Sequence, residues 1–263
     1  MILDDIAVKR KEQLARDMAA VSFSEIKAAA EKAAEVPTGR SFRKALTSLP
    51  RPAVIAEVKK ASPSKGIISE DFRPVEQALA YVSAGAAAIS CLTEEYYFKG
   101  SAEYFKEIRA AVDLPMIRKD FIIDPYQIYE AKVMGADAIL LIAAMLTTEQ
   151  MKEYREIAES LKMDVLAESH NAEEIKSVAE AGCTIFGINN RNLKDFTVTL
   201  DTTKALAELI PSGSIIVSES GIKTAEDIKF VTDCGANAVL IGETLMRSGD
   251  PVDSLKELRK LVC

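Results

Sequence analysis

Glu57 and Lys59 stand two positions apart at the end of an apolar run, Pro52-Ala53-Val54-Ile55-Ala56-Glu57-Val58-Lys59. Side chains along a strand repeat every second residue, so both charges face the same way. Charge is costly inside a core. An opposite pair at the tip of a buried strand therefore fits either a capping salt bridge or the mouth of a site. Recurrence favours the mouth. Lys119 ends Pro115-Met116-Ile117-Arg118-Lys119, and Glu168 ends Asp164-Val165-Leu166-Ala167-Glu168. Other apolar runs lead to Thr93 and Glu94, to Asn189 and Arg191, to Glu219, Ser220 and Gly221, and to Gly242 and Glu243. Such a ring of acids, amines and amides suits acid–base chemistry.

Lys119 shares its facing with Ile117 and is expected to project into the mouth. It could act as a general acid, or as an imine-forming nucleophile if deprotonated; the plainer alternative is an ion pair with Glu57 or Asp120. Glu168 beside a lysine could serve as a general base, or merely balance charge. His170 is the only histidine, and beside the helix cap Asn171 it reads as a loop residue. One histidine allows neither a Ser-His-Asp arrangement nor a His/Cys metal set. Ser220-Gly221 and Gly242-Glu243 fall where backbone N–H groups can hold a phosphate, and glycine lets the backbone come close to an anion. Lys59, Ser62 and Arg191 could add charge and hydroxyl contacts. No G-x-x-x-x-G-K-[ST] run is present, which argues against a nucleoside triphosphate. Phe98, Phe121 and Leu193 could cradle an aromatic or aliphatic group, or simply pack under loops.

The elements that must position these residues are legible. Apolar segments at 86–91, 115–119, 138–143, 164–168, 185–189, 214–219 and 238–242 follow the first strand. Helix-like stretches lie between them, as at 147–161 and 172–181, with Thr148, Glu149, Asn171, Glu173 and Glu174 placed as caps and first-turn acids. Gly85, Gly135, Gly182 and Gly235 stop four helices just before a strand. Eight βα units in 263 residues fit a (β/α)8 barrel. An open doubly wound sheet is the second choice, and it would normally carry a G-x-G-x-x-G turn that is missing. In the barrel fold, strand C-termini carry the site. Residues 1–50 read as a helical extension, with Ile2, Ile6, Val8, Leu14 and Met18 marking one amphipathic helix and Ser22 or Ser24 capping a second that runs to Pro37. The extension could cover the barrel's bottom or lean over its top. Residues 51–263 form the barrel, and the whole is expected to be one domain.

Apolar residues make up 48% of the chain, ample for one large core. A net charge of −7 disfavours nucleic acid and anionic membranes as partners. The longest apolar run, 138–146, is too short to span a bilayer. Asp4, Asp5, Lys9 and Arg10 break any signal-peptide pattern. Cys91, Cys183, Cys234 and Cys263 lack paired spacing and read as reduced core thiols. A cytoplasmic monomer acting on a small molecule is the expectation.

The runs Ile55-Ala56-Glu57-Val58-Lys59-Lys60-Ala61-Ser62-Pro63-Ser64-Lys65-Gly66, Arg118-Lys119-Asp120-Phe121, Gly187-Ile188-Asn189-Asn190-Arg191-Asn192-Leu193, Ser218-Glu219-Ser220-Gly221-Ile222 and Leu240-Ile241-Gly242-Glu243 together resemble the indole-3-glycerol phosphate synthase family, and the resemblance runs over essentially the whole chain. It implies a carboxy-lyase of tryptophan biosynthesis that converts 1-(2-carboxyphenylamino)-1-deoxyribulose 5-phosphate to indole-3-glycerol phosphate, carbon dioxide and water. By motif position it implies Lys119 as principal acid and Glu168 as base. Lys59 would bind the substrate carboxylate or assist as a second acid. Glu57 and Glu219 would hold the lysines, with Asn189 and Ser220 completing the network. Gly221, Gly242, Glu243 and Arg191 would shape the phosphate end. Pro63, Phe98, Phe121 and Leu193 would line the anthranilate pocket. No metal or organic cofactor is implied. Ala61, Ser169 and Glu243 depart from residues common in relatives, and none of the three carries the acid–base work. Rival readings are a Schiff-base aldolase, a phosphoribosylanthranilate isomerase-type barrel and a non-catalytic phosphate-ligand sensor.

Overall fold

The computed structural model describes residues 2–48, 51–248 and 250–262. Eight parallel strands close into a barrel: β1 (Ala53–Val58), β2 (Ala88–Leu92), β3 (Met116–Lys119), β4 (Ala138–Ile142), β5 (Asp164–Ser169), β6 (Ile185–Asn189), β7 (Ile215–Glu219) and β8 (Ala238–Ile241). Each strand pairs with its sequence neighbours, and β8 closes on β1 through Ala53–Ala238 to Ala56–Ile241. The expected barrel is therefore the fold, with strand limits within two residues of those read from the sequence. A short antiparallel hairpin, Ala61–Ser62 against Gly66–Ile67, stands over the mouth after β1.

The helices are α1 (Ile2–Ala20), α2 (Phe23–Ala34), α3 (Phe42–Thr47), α4 (Pro74–Ser83), α5 (Ala102–Ala111), α6 (Pro125–Val133), α7 (Thr148–Ser160), α8 (Ala172–Glu180), α9 (Asp201–Ala207), α10 (Ala225–Asp233), α11 (Glu243–Arg247) and α12 (Pro251–Arg259). Ser22, not Ser24, caps α2 through a reciprocal bond set with Glu25, and that helix ends at Ala34. Thr147 takes the capping place expected of Thr148, because its hydroxyl reaches Gln150 N while Gln150 returns a bond. Asn171 caps α8 as expected. Gly85, Gly135, Gly182 and Gly235 all adopt positive φ, the left-handed turn that frees the chain to re-enter the sheet.

The N-terminal extension covers both ends of the barrel. Ile2, Leu3 and Ile6 of α1 face the mouth. Phe42 and Leu46 of α3, both fully buried, plug the opposite end. There Arg40 and Arg109 meet Asp137 at 3.0 Å each, and the Arg43 N–H donates to Asp164 at 2.9 Å. One apolar column runs between plug and roof, with Ile55, Ile117, Leu166 and Val217 at its centre. The second apolar shell lies between strands and outer helices. Cys91 and Cys183 are buried free thiols, whereas Cys234 at the end of α10 is partly exposed and so is not the core thiol expected. Cys263 lies outside the described residues.

Candidate active site

Alternate strands supply the layers of the barrel interior. From β1, β3, β5 and β7 come Ile55, Ile117, Leu166 and Val217. Two residues further along the same strands come Glu57, Lys119, Glu168 and Glu219. The period of two turns a hydrophobic layer into a charged one at the mouth. Lys119 Nζ donates to Glu168 Oε2 at 2.9 Å and to Glu219 Oε2 at 2.7 Å. Its partners are these carboxylates and not Asp120, which turns outward to Arg10 and Arg118. Lys59 pairs with Glu57 on the neighbouring wall. Asn189 donates to Glu168 Oε1 at 3.0 Å and accepts from the Arg191 N–H at 3.0 Å, so one amide orients both the carboxylate and the following loop.

Burial alone would drive a proton from Lys119, but Glu168, Glu219 and Glu57 outweigh it and hold the ammonium above its usual range. Burial pushes Glu168 up, yet Lys119, His170 and Asn189 together keep it ionised and below the ordinary carboxylate range. Glu219 goes the other way. Burial and the neighbouring Glu168 outweigh Lys119 and lift it to about 7. Two carboxylates on one lysine are thus driven apart, which leaves Glu168 the more readily ionised of the pair.

A cavity of about 620 Å³ opens over this layer, in the range of small-molecule sites. Apart from Thr93 and Glu94, the candidates read from the sequence line it: Glu57, Lys59, Ser62, Pro63, Phe98, Lys119, Phe121, Glu168, Asn189, Arg191, Leu193, Glu219, Ser220, Gly221, Gly242 and Glu243. Phe98 and Phe121 stand with ring centroids 5.8 Å apart and form an aromatic wall. On the far side, Ser220 and Gly221 take successive left-handed conformations at φ 66° and 89°, a strained turn that presents its backbone to the cavity. Glu243 begins α11, and its carboxylate draws Arg247 to 3.3 Å and Lys65 of the hairpin to 3.8 Å.

Thr93 and Glu94 are not on the rim. The Thr93 hydroxyl donates to Asp120 at 2.7 Å, and Glu94 accepts the N–H groups of Tyr96, Tyr97 and Phe98 at 2.8–2.9 Å. Both serve the loop and not the cavity. His170 is more than a loop residue: its Nε2 lies 3.4 Å from Glu168 Oε1 while its Nδ1 meets Glu174 at 3.0 Å. Burial lowers its basicity, but the two carboxylates raise the imidazole to about 10, so it carries charge beside the base candidate. Gly187 was also not singled out. A Cβ there would fall on Glu219 Oε1, so the missing side chain makes room for that carboxylate. Its signal was a glycine at an inward strand position. Ile2 and Ile6 show in sequence only as the apolar face of a helix, and with Leu3 their place at the mouth is not legible there, since roof and plug look alike in sequence.

Fold and site together define a (β/α)8-barrel enzyme that handles a small, polar substrate at the C-terminal mouth by proton transfer. The family model for indole-3-glycerol phosphate synthase matches residues 3–258, and the chain belongs to that family, whose members are carboxy-lyases of tryptophan biosynthesis. An indole-3-glycerol phosphate synthase of Ruminiclostridium cellulolyticum is 50% identical over 98% of this chain and 99% of that protein. Another from Alkaliphilus metalliredigens is 47% identical over the full length of both. Among solved structures, a 3-hexulose-6-phosphate synthase superposes with a TM-score of 0.64 at 15% identity, covering 80% of this chain and 100% of that one, and it speaks for the fold alone. Among the described residues, no helix is long and apolar enough to cross a membrane.

Proposed function

We propose that Lys119 and Glu168 are the acid and base with which this chain forms indole-3-glycerol phosphate from 1-(2-carboxyphenylamino)-1-deoxyribulose 5-phosphate. The observation that carries this reading is a cavity-facing ammonium held protonated between two buried carboxylates of unequal basicity. Lys119 donates its proton to the ketone oxygen as the ring carbon bearing the carboxylate attacks the carbonyl carbon. Carbon dioxide leaves from that ring carbon, and its bonding pair restores aromaticity. A second proton, from Lys119 again or from Lys59, lets the new hydroxyl depart as water. Glu168 removes the proton from the adjacent carbon, which closes the pyrrole double bond. The sum consumes one proton for each carbon dioxide and water released.

Glu57 and Glu219 hold the two lysines, and Asn189 and Ser220 complete the polar wall. The Phe98–Phe121 wall with Pro63 and Leu193 takes the anthranilate ring. Gly221, Gly242, Arg191 and Ser62 take the phosphate end, with Glu243 gathering Lys65 and Arg247 there. No metal or organic cofactor enters this scheme. Residues 1–50 and 51–263 act as one domain, the chain works as a monomer, and its place is the cytoplasm.

A Schiff-base aldolase would need a neutral lysine, and the carboxylates around Lys119 oppose that. The test is the rise of indole fluorescence on adding the carboxyphenylamino-deoxyribulose phosphate to EDTA-treated protein. Robust product supports the scheme. Folded protein that makes none, but yields a lysine adduct on borohydride treatment with a keto-sugar phosphate, overturns it in favour of the aldolase.

A further inference from the structure

Between the roof helix α1 and the strand that carries Lys119 lies a buried charge cluster with no part in the chemistry. Arg10 is fully buried, and its guanidinium sits 3.1 Å from Asp120, whose side chain is also completely covered. Arg118 reaches the same carboxylate at 2.9 Å and Glu130 at 2.6 Å. The Arg10 nitrogens lie at ion-pair distance without an aligned hydrogen bond. Such an arrangement is a poor stabiliser, because desolvating the charge is only partly offset and an apolar side chain of similar volume would often serve stability as well or better.

What the cluster does have is a connection to the cavity at both ends. On one side Arg10 belongs to the helix whose Ile2, Leu3 and Ile6 face the site. On the other, Asp120 follows Lys119 directly, and its Oδ1 accepts the Phe121 N–H at 2.8 Å. Gln127 fixes the same segment from below, donating to Phe121 O and accepting from the Ile123 N–H, each at 2.9 Å. Phe121 is one half of the aromatic wall.

We propose that Arg10 is a positioning residue: its buried ion pair with Asp120 sets the roof helix and the segment 119–121 in register, and so places Phe121 against Phe98 to receive the substrate's aromatic ring. The inference rests on the reading of this cavity as the site for the anthranilate-bearing sugar phosphate. Arg10 touches no reacting atom; it acts through Asp120. Loss of Arg10 should therefore weaken recognition of the aromatic end and leave the phosphate end alone.

The experiment compares wild type with Arg10→Met, Arg10→Lys and Asp120→Asn. For each, KM and kcat are measured with the full substrate, alongside the inhibition constant of inorganic phosphate. Wild-type turnover comes first, because its absence would overturn the site reading itself and not the role of Arg10. Given wild-type turnover, Arg10→Met should raise KM at least tenfold with the phosphate constant within twofold of wild type, and Arg10→Lys should recover part of the loss. Arg10→Lys and Asp120→Asn should also couple in kcat/KM, the double variant being less impaired than the product of the single effects. This cycle decides the matter even if Arg10→Met fails to fold. An unchanged KM in the folded variants, additive effects in the cycle, or a phosphate constant that rises in step with KM would each reduce Arg10 to a structural ion and overturn the proposal.

Discussion

At the scale of single residues, the site depends on where protons rest. Lys119 is kept charged by its surroundings, so Lys119→Ala should fold yet lose kcat by roughly 10²–10⁴, the usual worth of a positioned acid; near-normal turnover in a folded Lys119→Ala variant would remove it from the mechanism. His170 offers a test through stability. Its folded-state value of about 10 lies above the ordinary 6.5, so it favours the folded state fully below pH 6.5, and that favour fades as pH rises from 6.5 through 10. The melting temperature of His170→Asn should thus fall below wild type by most at acid-neutral pH, with the gap closing by pH 10. A gap that stays constant over this range would show that charge is not what His170 contributes. Much of the residue-level site was legible because strand periodicity places Glu57, Lys59, Lys119, Glu168 and Glu219 without any knowledge of the third dimension. Partners across the barrel were not. That Lys119 meets Glu168 and Glu219, while Asp120 turns away, depends on a closure that joins residues 100 positions apart in sequence.

At the scale of elements, the interior is a matter of alternating volume. Gly187 on β6 leaves the space that Glu219 occupies from β7. Gly187→Ala should push this carboxylate off Lys119, lowering kcat while KM for the substrate changes little, since the ring and phosphate contacts lie elsewhere. Equal loss in both parameters would mean that the added methyl disturbs binding instead. The plug at the other end can be probed without touching the site. Phe42 is fully buried, so Phe42→Ala should cost about 3–5 kcal/mol of stability, read as a lower denaturation midpoint with kcat unchanged at temperatures where the variant stays folded. Strands, helix stops and the barrel itself could be read from hydrophobic period and glycine placement. The extension could not be assigned an end, because the apolar face of its helices would suit either opening, and α3 at Phe42–Thr47 is too short to show a period of its own.

The whole molecule carries −7, and yet its substrate bears a carboxylate and a phosphate. The mouth resolves this by setting six cations, Lys59, Lys65, Lys119, Arg191, Lys223 and Arg247, against four carboxylates, Glu57, Glu168, Glu219 and Glu243, so a local surplus of positive charge attracts while the overall field repels. Raising ionic strength should reduce kcat/KM by a few-fold, as screening weakens those cations, with kcat steady; a rise instead would mean that the net negative field governs capture. The roof and the plug are two parts of one continuous strap, running from α1 at the mouth, past α2, to α3 beneath the strands. A pull on the chain ahead of α1 would meet these contacts in series. The roof would peel first, tearing Arg10 from Asp120, and only afterwards would Phe42 leave the barrel floor. Under load the molecule would lose its grip on the substrate while its barrel was still whole.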